Sequence, residues 1–367
     1  MEFDLSEEQR LIDASLRGYL ADAMPLDRVR AVAAGRSGFD AALWAGLCGL
    51  GLPGLVIAEK FGGSGLGLLE AAVVAEALGH AATPAPFVGP CVMAPLAISI
   101  VGSAEQQSRW LPRIAGGEMR IAIACGALSG ATGATRFELS AGRISGQVDS
   151  VLDAAGATHA LLYAADGAAF MIALDAPGVK TVPRPTLDRT RPLIDLHLSG
   201  AESEPLAGGS DALAAAKRVL DAGRVMLAAD TLGAASRMID KAVAYALERE
   251  QFGRVIAAFQ AVKHMCAEMA AELEPCRALI WYAATIQDQG EAEERRTLAC
   301  LTKAHLSEVG RNVARTATEV HGGMGFTDLM GLHYWFKRIA FDRQVLGGPE
   351  RCRAEAAQAQ GWNVSTS

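Results

Sequence analysis

LDAGRVMLAADTLGAASRMIDKAVAYALEREQFGRVIAAF, residues 220–259, is a long helical pattern that ends in Arg249, Phe252 and Gly253 and is followed by Gln260. Its distant complement is EVHGGMGF, residues 319–326, where the pair Gly322-Gly323 separates two further helical patterns. A basic side chain behind a long helix suits a phosphate, and so does a glycine pair, which lets backbone approach closely. What the two segments serve is decided by the chain around them.

Outward from that stretch, helical patterns occupy 211–250, 255–287, 292–318 and about 327–359, each separated by little. Four such patterns imply an antiparallel bundle. Upstream, from Arg120 to about Ser210, the character changes to short runs separated by Gly, Asp and Pro: IAIACGA, GRISGQVDSVLDA, THALLYAAD, AAFMIALD, VKTVPRP and PLIDLHLSG. The first third is helical again. Ser6 precedes Glu7-Glu8-Gln9 in a capping pattern, with Leu11, Ile12 and Leu16 behind it. Further helical patterns at 40–49, 68–78, 95–101 and 104–115 are broken by GLPG (51–54) and FGGSGLG (61–67). FGGSGLG lacks the Lys-Ser/Thr of a phosphate-binding P-loop and follows no strand, so it reads as a turn between helices. The expected fold is mostly helical α+β: an N-terminal helical domain (1–119), a middle β-barrel or sandwich domain (120–210) and a C-terminal four-helix bundle (211–367).

Composition narrows the function. The 367 residues are 51% hydrophobic, enough to bury a large core, and the formal charge of -7 gives no general attraction to nucleic acid or an anionic membrane surface. A phosphate-bearing partner must be held by local groups. The opening MEFDLSEEQRLIDASL is acidic where a signal peptide is basic, and no segment is apolar for the length of a bilayer, so the cytoplasm is the expected compartment. Seven cysteines (48, 91, 125, 266, 276, 300 and 352) show no CxxC pair and read as buried small hydrophobes. Seven histidines form no HxxxH or HExxH pair, and no metal is expected.

With these motifs in this order, the chain resembles the acyl-CoA dehydrogenases over essentially its whole length. FDLSEEQRLI is similar to their first helix, and LGLPGLVIAEKFGGSGLGLLEAAVVAEALG to the segment between their early helices. EREQFGRVIAAFQAVKHMCAEM resembles the family's R-x-x-FG-x-x-I-x-x-FQ signature, and EVHGGMGF its Q-x-x-GG-x-G-[FY] signature. The resemblance implies an FAD held between the domains and a neighbouring subunit. A carboxylate then removes the α-proton of an acyl-CoA thioester while the β-hydride passes to the flavin, and electron-transfer flavoprotein is the expected electron acceptor. It further implies that Arg249 meets the FAD pyrophosphate of a partner subunit, a task suited to its fixed charge and forked donors. Gln260 and the Gly322-Gly323 backbone would contact the same dinucleotide, with Phe252 against it.

The chain departs from the family where chemistry is concerned. One family position for the base, about twenty residues beyond the G-[FY] pair, holds Leu346; the other, just before an Arg on the helix opening the bundle, holds Gly223. Neither can accept a proton. Asp221 lies two residues before Gly223, on a different helix face, and Glu350 lies four residues after Leu346 behind Pro349, in a helix first turn. These are the remaining catalytic candidates. The family's flavin-covering stretches, T-E-P-x-A-G-S-D and W-I-T-N, correspond to ACGALSGATGAT (124–135) and SVLDAAGAT (150–158), without the Thr, Glu, Pro and Trp. DRTRPL (188–193) reads as a solvated turn, with a role at CoA phosphates as the alternative.

Residues that would serve a neighbour's FAD are kept, whereas those serving the chain's own flavin and base are not. That asymmetry resembles one subunit of a heteromeric acyl-CoA dehydrogenase, of the kind that handles bulky steroid side-chain or similar thioesters, completed by a second acyl-CoA dehydrogenase-like subunit. Two other readings stay open: a homotetrameric enzyme with a displaced carboxylate, and a flavin-free binding or scaffold homologue.

Overall fold

Ser6 opens the first helix as its capping pattern requires: its Oγ accepts the Gln9 N–H at 3.2 Å, and Gln9 Oε1 accepts the Ser6 N–H at 2.9 Å. In the computed structural model, which describes residues 4–35, 38–130, 136–207 and 211–362, six α-helices form the N-terminal part. They are α1 (Glu7–Ala23), α2 (Leu26–Ala34), α3 (Ala41–Gly49), α4 (Leu68–His80), α5 (Ala94–Val101) and α6 (Ala104–Ala115). Only α2 was not legible as a pattern. FGGSGLG is a turn between helices, with Gly62 and Gly65 at φ 82° and 64° and Gly63 pressed against the carbonyls of Ile57 and Gly54.

The β domain comprises β1 (Ile121–Ala124), the short α7 (Gly126–Ser129), β2 (Arg136–Ser140), β3 (Arg143–Val151), β4 (His159–Tyr163), β5 (Ala169–Ala173), β6 (Val179–Arg184), β7 (Leu193–Glu202) and β8 (Glu204–Pro205). Two four-stranded sheets result, ordered β1-β4-β5-β8 and β2-β3-β7-β6, with β1 parallel to β4 and the other pairs antiparallel. Ile144, Val148, Leu162, Ile172, Leu196 and Leu198 form a shared core of side chains from both sheets, the packing of a sandwich. Residues 131–135, in the first expected flavin-covering stretch, lie outside the described residues.

The bundle begins with α8 (Ala212–Glu248), buried all round from Val219 to Ala235, as a helix at the centre of a large core must be. A two-strand hairpin, β9 (Glu250–Gln251) and β10 (Arg254–Val255), leads to α9 (Gln260–Gln289), α10 (Ala292–His321), α11 (Leu332–Gln344) and α12 (Pro349–Ala359). The single pattern expected over 327–359 is therefore two helices. The break is Val345–Gly348, where Leu346 and Gly347 have φ of 61° and 102°.

DRTRPL is not a solvated turn. Arg191 is buried, donates to Asp342 Oδ1 at 2.7 Å, lies 3.7 Å from both Asp153 and Asp230, and stacks over Phe341 at 4.9 Å. Arg338 forms two 2.6 Å hydrogen bonds to Asp230, while Asp153 accepts the Gly89 N–H at 2.7 Å. This ionic cluster joins the β domain to α8, α11 and the segment before α5. Burial pushes the Asp342 carboxyl far above its ordinary range, and the nearby Asp230 adds to the shift. Lys303 of α10, fully buried, donates to the carbonyls of Asp342 and Arg343 and so caps α11.

Candidate active site

The two positions where the family's base is expected, Gly223 and Leu346, meet in space although they are far apart in sequence. A Cβ placed on Gly223 would lie 2.7 Å from Leu346 Cδ1 and 2.6 Å from Met93 Sδ. Leu346 is 4% exposed. It holds a left-handed backbone conformation unusual for leucine, and Arg224 Nε donates to its carbonyl at 2.9 Å. Arg224 is itself fully buried; its Nη1 donates to Glu355 at 2.7 Å and to Cys300 Sγ at 3.0 Å. Thus the place where the resemblance puts a base is lined by Gly223, Met93 and Leu346, with Arg224 engaged behind them.

The two candidate carboxylates go elsewhere. Asp221 is buried with its Oδ1 2.5 Å from Arg296 and 3.4 Å from Arg224. Burial raises its pKa to about 6 despite those two cations. Glu350 sits in the first turn of α12, its side chain 74% exposed and 3.1 Å from Arg343. Asp221 lines a cleft of about 970 Å³ between α8, α10, α12 and the β1–α7 segment, together with Lys217, Arg218, Arg295, Arg296 and Arg351. Among the described residues, Arg218 Nε has no hydrogen-bond partner and the Arg295 guanidinium reaches only the Gly290 carbonyl. Such cations suit an anionic ligand.

The residues expected to hold phosphate lie at the ends of α8 and α10 and the start of α9. Tyr245 stacks on His321 with ring centroids 4.6 Å apart, bringing the last turn of α8 beside the end of α10. Arg249 is the exposed C-cap residue of α8. The Phe252-Gly253 pair forms the two-residue turn of the hairpin, both with positive φ (54° and 76°), and this thrusts Phe252 out to 93% exposure. Gln260 starts α9, whose N-terminus has no side-chain cap and so offers unpaired N–H groups. Gly322 and Gly323 face open space: a Cβ on either would meet nothing within 4 Å. Phe326, Leu329 and Leu247 are 81%, 72% and 60% exposed.

Some polar features had no sequence signal. Cys300 and Cys352, from α10 and α12, bury their thiols against each other behind the Leu346 loop. The hydrogen bond from Cys300 lowers Cys352 to about 6, with Arg224 and Lys303 assisting. Two of the seven cysteines, Cys48 and Cys266, are half-buried rather than buried. No helix among the described residues is long and apolar enough to cross a membrane.

Comparison with known proteins gives the family. Residues 6–118 match the acyl-CoA dehydrogenase N-terminal domain, and residues 213–360 the acyl-CoA dehydrogenase C-terminal domain. The acyl-CoA dehydrogenase IpdE2 of Mycolicibacterium smegmatis is 30% identical over 94% of this chain and 96% of its own length. A solved variant of the Tcur3481-Tcur3483 steroid ACAD is 30% identical with a TM-score of 0.86, over 97% of this chain and 98% of that one. The ChsE4-ChsE5 complex from Mycobacterium tuberculosis is 26% identical with a TM-score of 0.88, over 100% of both chains. With both domain matches and near full-length similarity, the chain belongs to the acyl-CoA dehydrogenase family, the flavin-dependent oxidoreductases acting on a CH–CH bond.

Proposed function

We propose that this chain is the base-lacking subunit of a heteromeric, FAD-dependent acyl-CoA dehydrogenase, and that it completes an FAD site together with a second acyl-CoA dehydrogenase-like subunit. The observation that carries this reading is the contact of Gly223 with Leu346 and Met93. A general base must come within hydrogen-bond reach of the proton it removes, and neither family position offers an acceptor. Asp221 is held by arginines and Glu350 faces solvent.

The fit to FAD is divided. In the segments where the flavin ring would be covered, Cys125 and Leu152 are buried and apolar, and the Asp153 carboxylate is already engaged by Gly89 and Arg191. A flavin needs donors and an aromatic or apolar cover there. The outer end of the bundle fits better: Arg249, the open N-terminus of α9 at Gln260 and the unobstructed Gly322-Gly323 backbone suit a pyrophosphate, and the exposed Phe252, edge-on to Phe259 at 6.1 Å, is the ring that would lie against the dinucleotide. When bound, FAD supplies the acceptor for the substrate β-hydride. Arg249 would hold its phosphates and Phe252 would exclude water. The exposed Leu247, Phe326 and Leu329 would be covered by the partner subunit.

The charged cleft would take the acyl-CoA of this family, and electron-transfer flavoprotein would receive the electrons. Two relatives carry the names of paired proteins, Tcur3481-Tcur3483 and ChsE4-ChsE5, the first described as a steroid ACAD. They support a partner subunit and a bulky, steroid-type acyl group. The test is a flavin spectrum of the chain purified alone and after co-expression with an acyl-CoA dehydrogenase-like homologue from the same source. A colourless chain that turns yellow only with the homologue is expected. A yellow chain that oxidises acyl-CoA by itself overturns the reading.

A further inference from the structure

A second cavity, of about 380 Å³, opens where α1 and α2 meet the ends of α4, α8 and α11. Its floor is apolar: Leu20, Met24, Val29 and Ala77 are buried in it, with Trp335 as one wall. Its polar lining is Arg17, His80, Arg237 and Lys241, and no carboxylate lines it. Two of these groups are already occupied. Arg17 pairs with Asp13 at 2.7 Å and with Glu76 at 3.2 Å, and His80 faces Asp240 at 3.1 Å.

Arg237 and Lys241 differ. They stand one turn apart on α8, and neither makes a hydrogen bond or ion pair with the described residues; Lys241 Nζ lies 5.3 Å over the Trp335 ring. The acid that feels Arg237 is Asp240, which His80 already engages. The Lys241 ammonium is pushed below its ordinary range by burial, then by Arg237 and Arg30, with no acid opposing them. Like charges one helical turn apart repel. An anion set between them would remove that repulsion and gain charge-assisted hydrogen bonds.

We propose that this cavity binds a small amphipathic carboxylate, its alkyl chain on Leu20, Met24 and Val29 and its carboxylate between Arg237 and Lys241. The apolar floor favours a hydrocarbon-bearing acid over a bare inorganic anion, and the unpaired cations favour it over a neutral alcohol. Pockets of this size are ordinary for small ligands. The site shares no lining residue with the 970 Å³ cleft and does not depend on the function proposed above.

Octanoate is the probe. Titrated by calorimetry into the full chain, with its partner subunit where one is needed for solubility, it should bind and raise the melting temperature. Octanol and inorganic phosphate at the same concentrations should do neither. Arg237→Gln with Lys241→Gln should weaken octanoate about tenfold or more at unchanged circular dichroism, whereas Arg218→Gln with Arg295→Gln in the cleft should leave it unaltered. The proposal is overturned by absent octanoate binding, by equal binding of octanol or phosphate, by undiminished binding to the first double variant, or by its loss in the second.

Discussion

The meeting of Gly223 and Leu346 can be measured as a coupling energy. Leu346→Ala removes a side chain that is 4% exposed and should destabilise by about 3 kcal/mol. Gly223→Ala gains about 1 kcal/mol of helix propensity in the middle of α8. It also drives a methyl to within 2.6–2.7 Å of Met93 Sδ and Leu346 Cδ1, an overpacking cost of about 2 kcal/mol. Alone, Gly223→Ala should therefore destabilise by about 1 kcal/mol. In the double variant the leucine methyl is gone and the Met93 thioether can turn aside, so the propensity gain returns and the total is about 2 kcal/mol rather than about 4 kcal/mol. Urea denaturation of the four proteins gives the cycle. Separate sites add to within about 0.5 kcal/mol; additivity of that quality would mean the two base positions do not touch, and the packed base position would fall with it.

Other consequences are simpler to state. Arg249→Ala should lower the flavin retained by the assembled complex on gel filtration, and full occupancy would remove Arg249 from the phosphate site. Asp221 has a folded pKa near 6 against 3.8 for its ordinary value, so the folded state binds the proton more tightly. Its stabilising contribution is full below pH 4 and lost as pH rises through 6, about 3 kcal/mol in all. The stability of the native chain relative to Asp221→Asn should fall by that order between pH 4 and pH 7, and a flat difference would contradict the burial. Arg191→Met strips a buried cation from Asp342, Asp230 and Asp153 and should cost about 3–5 kcal/mol, visible as a large drop in melting temperature. Glu350→Ala removes an exposed pair and should leave both the urea midpoint and any activity unchanged; a loss of turnover in the complex would return Glu350 to the list of bases.

The helices were legible where amphipathic spacing coincided with end signals, as at Ser6, whose side chain does cap the helix that follows; the like cap at Ser103 was not singled out. The sandwich was legible from its β-prone runs, although β2, exposed on most of its length, and the two-residue β8 carry too little alternation to stand out. The break at Leu346 had a signal in Gly347-Gly348-Pro349, with Pro349 opening the last helix; what could not be read is that Arg224, 122 residues away, donates to the Leu346 carbonyl. Arg191 was misread for a related reason. Asp, Arg and Thr beside Pro resemble a surface turn, and only tertiary packing supplies the buried charges that hold them. For the candidate site, the sequence offered Arg249, Phe252, Gln260, Gly322 and Gly323 as candidates through the family motifs, and Gly223 and Leu346 as the positions where the resemblance puts a base. That Gly223 and Leu346 are neighbours could not.

The type I′ turn at Phe252-Gly253 has a consequence for how cells must make this protein. Its geometry projects an aromatic ring into water, edge-on to Phe259 at 6.1 Å, and Leu247, Phe326 and Leu329 are exposed as well. A surface of that kind is sticky until something covers it. Chains synthesised in excess of their cover should therefore self-associate and be cleared, so abundance would follow supply of the covering molecule, and matched synthesis of the two would matter as much as the folding of either.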